Sequence, residues 1–285
     1  MKPGIYDMPA DAYHADPCPE PSLSRSLIVT MLNQTLGHAR DEHPRLGNLK
    51  RESQRWEWNR GTGIHALALE GDEERVVVTD EHKAFQTKAA KAWRDETLAA
   101  GKIPALRRQY DDIRAAVSAI RHQTAQMAPP AFTLGAPEQT LVWQEVNGVW
   151  CRARLDWLRE DLTLVDDLKT TDLSAKPESY GRYIWRSGLD IQAAWYLRAV
   201  RSVFPGSDPR FRFVVAEMYG GNRCSSVTLD AAGLATATAK IEYAIERWGD
   251  ALETGDFPAY PREMVEVETP AYEIARWELV EAEGW

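Results

Sequence analysis

The chain has 285 residues, 44% hydrophobic and 27% charged, a balance that excludes a disordered, collagen-like or coiled-coil polypeptide and allows one large domain with a full core. Its net charge of −9 argues against a broad, non-specific DNA coat. Seven glutamates against Arg276 alone place −6 of that charge in residues 263–285, so residues 1–262 carry only −3 and leave room for a confined basic groove.

Residues 15–22 form a proline-rich loop, and 23–43 read as a helix with Ser24 as N-cap. Residues 53–70 read as a helix containing Gly61 and Gly63, and RVVV at 75–78 as a short strand. Two polar, amphipathic helices are expected over 81–99 and 106–127. Residues 138–146 alternate like a strand, Asn147-Gly148 is a hairpin turn signal, and 149–158 return. A third strand is expected at 163–172, a helical stretch at 176–204, a strand at 210–219 and a last long helix at 230–252. The remainder reads as an extended acidic arm. The expectation is a single α/β domain over 1–262, with a mixed central sheet flanked by helices, and a C-terminal arm over 263–285. No window approaches a membrane span of about 18 apolar residues, and the N-terminus lacks the apolar run of a secretory signal. Cys18, Cys151 and Cys224 form no CxxC pair and suggest reduced thiols in a cytoplasmic setting.

The chemistry concentrates on two adjacent strands. Strict alternation puts Arg152, Arg154 and Asp156 on one face, and Asp167 and Lys169 on one face of the next strand. If these strands pair, two carboxylates and a lysine converge. Two close carboxylates repel unless a cation lies between them. Oxygen ligands suit Mg²⁺, with Mn²⁺ as an alternative, and a lysine beside the metal suits metal-assisted phosphodiester hydrolysis. The same residues also fit a surface hairpin with a solvated Asp–Lys pair, although VDDLKTTD sits inside an apolar strand pattern where unpaired charge is costly.

Asp156 followed by Asp167-Leu168-Lys169 resembles the D…(D/E)xK motif of PD-(D/E)xK nucleases. The closer resemblance is to RecE (exonuclease VIII)-type phage and prophage exonucleases, and it covers nearly the whole chain. It rests on Gly4-Ile5-Tyr6 with Tyr13-His14, on Leu23-Ser24-Arg25-Ser26, and on Gly61-Thr62-Gly63-Ile64-His65 followed by Leu69-Glu70. It rests further on Cys151-Arg152-Ala153-Arg154-Leu155-Asp156, on Asp167-Leu168-Lys169-Thr170-Thr171, and on Gln192 with Tyr196. The resemblance implies a restriction-endonuclease-like core in which His65, Asp156, Asp167 and the Leu168 carbonyl hold metal. Lys169 would orient the attacking water. Gln192 and Tyr196, one helical turn apart, would contact the scissile strand or the lysine. Arg152 and Arg154 suit flanking phosphates. Ser24, Arg25 and Ser26, besides capping a helix, suit a terminal phosphate, since a helix N-terminus presents free N–H groups. Glu70 lies about 140° around an α-helix from His65 and is expected outside the site. Glu138 matches an acidic position of the family and reads as structural. Three scattered cysteines set aside the four-cysteine iron–sulfur variants.

The implied activity is Mg²⁺-dependent 5′→3′ exonucleolysis of double-stranded DNA, leaving a 3′ single strand for a single-strand-annealing recombinase. The resemblance also implies a ring homo-oligomer, a trimer or tetramer, encoded by a phage or prophage. A structure-specific or nicking endonuclease would use the same site. A silent DNA-end-binding recombination module is the reading of a different class, and the presence of Asp156, Asp167 and Lys169 weighs against it.

Overall fold

The strand signals and turns of the middle of the chain build a sheet, and helices from both halves cover it. The computed structural model describes residues 1–47, 49 and 56–284, with side chains described outside 56–59. β1 (Gly4–Tyr6) and α1 (Ala10–His14) precede a loop and β2 (Leu23–Ser24). The expected helix over 23–43 is two helices, α2 (Arg25–Asn33) and α3 (Leu36–Glu42). Thr35 turns extended between them, and its side chain accepts the His38 N–H as a fresh N-cap. α4 (Trp56–His65) widens into a π-helical turn over Ala66–Glu70. Residues 53–55 of the expected helix lie outside the described residues.

β3 (Val76–Thr79), α5 (Lys88–Ala99), β4 (Ile103–Leu106) and α6 (Arg107–Thr124) follow. β4 had no expectation attached to it: Ile-Pro-Ala-Leu is short and holds a proline. It pairs parallel with β3 as a separate two-stranded sheet. The main sheet uses β5 (Gly135–Gln144), β6 (Trp150–Arg159) and β7 (Leu164–Thr171). The expected helix at 176–204 divides at Gly188, whose φ of +70° ends α7 (Pro177–Ser187) and opens α8 (Leu189–Val203). β8 (Arg210–Glu217), β9 (Cys224–Val227) and α9 (Ala231–Thr254) complete the domain. The arm is not extended throughout. Ala271–Glu283 forms α10, with Glu273 in its first turn and no buried residue.

Among the described residues the main sheet has seven strands in the order β1-β5-β6-β7-β8-β9, with β2 paired to β6. The β5–β6 hairpin turns at Asn147-Gly148 and sets Trp143 opposite Cys151 and Gln139 opposite Leu155. β7 pairs antiparallel with β6, and after the α7–α8 crossover β8 pairs parallel with β7. One apolar core joins Leu141, Trp143, Ala153 and Phe213 to α2, α8 and α9. A second joins Leu168, Val214 and Ala216 to Ile64, β3, β4 and α6 on the other side. Among the described residues no helix is long and apolar enough to cross a membrane.

The sheet forks where the sequence motif lies. β7 stays paired with β6 only at Trp157–Asp166 and Leu158–Val165. Beyond that the Leu168 N–H donates to Asp156 Oδ2 at 2.9 Å, so a side chain replaces the ladder. Further along the same edge of β6, β2 pairs at Cys151 and Arg152. The fork therefore brings the start of α2 next to the end of the β6–β7 ladder.

Candidate active site

Local backbone irregularities position the site. Leu155 and Leu158 both enter the first core, a spacing of three that strict alternation forbids, so the pattern breaks at Asp156-Trp157. Opposite, Glu138 sits in β5 with φ +54°, and the ladder skips it between Pro137 and Gln139. Left-handed backbone at a non-glycine residue inside a strand is strained and marks a place held by its surroundings.

The fork gathers Asp156, Asp167, Lys169 and His65. His65 Nδ1 lies 3.5 Å from Asp156 Oδ2. Asp167 is fully buried. The Lys169 ammonium pairs with its Oδ1, and the Gln192 side chain donates to its Oδ2. Two carboxylates thus face one lysine. Burial pushes the Asp156 carboxyl up to about 6. Burial, reinforced by the Asp156 charge, pushes Asp167 up to about 7. Loss of water, with the Lys169 ammonium adding to it, holds the His65 imidazole down at about 4, so its nitrogen is unprotonated at neutral pH.

This donor set fits a divalent cation. Asp167 Oδ1 is buried and accepts no hydrogen bond, its contact being the ion pair with Lys169. The site has carboxylates in excess of cationic partners, and a neutral imidazole stands beside them. His65, Asp156, Asp167 and the Leu168 carbonyl would hold the ion, the set implied by the motif. The ligand atoms that come within 4.8 Å of one another are those of His65, Asp156 and Glu138, and Asp167 is not among them.

Several residues stand otherwise than the sequence suggested. Arg152 is 4% exposed, with Nη1 bonded to the Ser22 carbonyl and 3.2 Å from Asp16 Oδ1. It is an ion held by the loop before β2, and it also lines the cleft beside Asp156. Arg154 is held by Glu138 Oε2 at 2.6 Å, the Met8 carbonyl and Thr140. Glu70 lines the same cleft as His65, Gly61 and Glu138, paired with Arg75. The π-helical turn is the reason: with i→i+5 bonding, residues five apart return toward one side, which an α-helical count misses. Glu138 belongs to the site and not only to the strand's framework. A register count was the available signal, because a hairpin turning at Asn147-Gly148 sets position 138 against position 156.

The second cleft beside Asp156 is lined by Ser24, Arg25, Ser26, Arg154 and Tyr196. Ser24 stands at the N-cap of α2 without a side-chain capping bond, and its hydroxyl lies 3.1 Å from that of Ser26. Arg25 donates through Nη2 to the Ser187 and Gly188 carbonyls, while its Nε is buried without a partner. Burial pushes the Tyr196 hydroxyl pKa well up, so it is a neutral donor.

A family model described as a PDDEXK-like domain of unknown function (DUF3799) matches residues 44–268. Among solved structures, one from Eubacterium rectale described as a "Putative exonuclease" is similar, with a TM-score of 0.62 and 13% identity, over 94% of this chain and 98% of that one. At that identity the likeness is one of fold. Comparison with curated protein sequences gives no match.

Proposed function

The chain belongs to the PDDEXK-like domain family, and we propose that its site hydrolyses DNA phosphodiesters, working inward from a duplex end with 5′→3′ polarity. The observation that carries the hydrolytic reading is a buried aspartate, Asp167, paired with Lys169 beside a second, partly buried aspartate, Asp156, at a forked strand pair. A divalent cation, Mg²⁺ or Mn²⁺, would supply Lewis-acid stabilisation of charge on the phosphate and a more acidic water. The protein's own groups do the rest. His65, unprotonated at neutral pH, presents a nitrogen lone pair. Gln192 fixes the orientation of Asp167 through its side-chain amide. The Lys169 ammonium stands against Asp167, where it orients the attacking water and neutralises phosphate charge. Water adds at phosphorus, and the bond to the 3′ oxygen breaks.

End dependence rests on the cleft that Asp156 shares with the α2 N-terminus. A 5′-terminal phosphate seated on Ser24, Ser26 and the Arg25 Nε would lie beside the reacting strand, where a helix N-terminus favours an anion. The product would be a 3′ single-stranded tail, the substrate of a single-strand-annealing recombinase. Linear duplex labelled at either end, alongside the matching closed circle, tests the reading in Mg²⁺. Early release of the 5′ label with survival of the circle is expected. Cutting of the circle overturns end dependence, and early release of the 3′ label overturns the polarity.

A further inference from the structure

Asp156 stands between two groups of donors. On one side are Asp167 and the Leu168 backbone, which the D-x-K strand supplies. On the other are His65 and Glu138, whose ligand atoms lie within 4.8 Å of Asp156 and of each other. Glu138 reaches that position from a different strand, through the interruption of the β5–β6 ladder opposite Asp156. It lines both clefts, the one with His65 and Gly61 and the one with Asp156 and Tyr196, so it stands in the wall between them. Among the described residues, Oε2 of Glu138 accepts from Arg154 Nε and Oε1 has no hydrogen bond. A carboxylate steered by an arginine at one oxygen, with a ligand oxygen within 4.8 Å of an imidazole nitrogen and of a second carboxylate, has the arrangement of a metal ligand with its supporting partner.

We propose that Glu138 is a ligand of the divalent cation, acting with His65 and Asp156, and that Arg154 positions its carboxylate. The inference rests on the metal dependence of the proposed function but not on the substrate. Arg154 then has a defined task. It balances Glu138 when the cation is absent and fixes the carboxylate when the cation is present.

The test reads cation binding apart from cleavage, using Mn²⁺ titrated into the full chain and followed by calorimetry and by the loss of the free-ion magnetic resonance signal. Glu138→Gln should weaken Mn²⁺ binding by at least about tenfold and shrink the Mn²⁺-induced rise in melting temperature. Glu138→Asp should fall between Glu138→Gln and the wild type, and it serves as the readout if Glu138→Gln does not fold. Lys169→Ala should keep Mn²⁺ binding while losing cleavage. If Glu138→Gln binds Mn²⁺ as the wild type does while Asp156→Asn does not, Glu138 only tethers Arg154 and the inference is overturned. It is overturned equally if the wild type binds no Mn²⁺. If Mn²⁺ binds in a Glu138-dependent way and no DNA is cut, the inference stands and the nuclease reading falls.

Discussion

Two buried aspartates near β6 are built to opposite ends. Burial alone would raise the Asp16 carboxyl, but His43, Arg152 and Ser22 outweigh it and hold Asp16 at about 2. His43 Nε2 is 3.1 Å from its Oδ2, the Ser22 hydroxyl donates to Oδ1 at 2.6 Å, and the Tyr13 ring lies against the Arg152 guanidinium. At Asp167 burial wins, and the carboxyl rises to about 7. One cluster is closed by its own partners and fastens the N-terminal loop to the sheet. The other is left short of positive charge. In the proposed function a divalent cation would make up that deficit.

The sharpest way to break this contrast is Asp167→Asn. Cleavage should fall by at least about 10²–10³-fold, the scale for removing one preorganised electrostatic group. The melting temperature without cation should rise, because a buried, repelled charge is gone. A fall in melting temperature would show that Asp167 is paired as fully as Asp16. The counterpart is Arg152→Ala, which takes the buried guanidinium from Asp16. Urea denaturation should record a loss of about 3–5 kcal/mol, as for other broken buried pairs. A loss under about 1 kcal/mol would contradict a structural role for Arg152.

The two aspartates also predict opposite responses to pH. Asp167 binds its proton more tightly folded than unfolded, so its contribution to stability is greatest in acid and is lost as pH rises through about 7. His65, held at about 4 when folded, changes its contribution below its ordinary value of 6.5. Melts between about pH 6.5 and about pH 8 therefore follow Asp167, with the end of the Asp156 titration adding at the acid edge. Stability without cation should decline across that window, and saturating Mg²⁺ should flatten or reverse the decline. Asp16 responds the other way, its contribution being lost as pH falls from 3.8 toward about 2. The smallest effect expected is at the cleft rim. Alanine at Ser24, Arg25 and Ser26 together should reduce the preference for a 5′-phosphorylated over a 5′-hydroxyl end severalfold, as read by initial rates. An unchanged preference removes the terminal-phosphate site.

Much of this was legible in the sequence because period-two strands and an Asn-Gly turn are local signals. They placed β5, β6 and β7, and with them Asp156, Asp167 and Lys169. Gln192 bonds Asp167, whereas the motif had implied a contact with the scissile strand or the lysine. What the sequence withheld depends on departures from regular geometry. The π-helical turn brings Glu70 round, the interrupted ladder delivers Glu138, and the broken alternation sets Asp156 at the fork. The ion pair of Arg152 was hidden for another reason. Its partners Asp16 and Ser22 come from the loop before β2, and no spacing rule connects them to β6.

We propose that the fork at Asp156 and Asp167 is a cation-dependent hydrolytic centre worked by Lys169. The direct measurement is cleavage of linear duplex DNA by the wild type in Mg²⁺, by the wild type with EDTA, and by a folded Lys169→Ala variant. The account predicts cutting in the first case and none in the other two. Cutting that survives both EDTA and Lys169→Ala would place the chemistry elsewhere in the molecule.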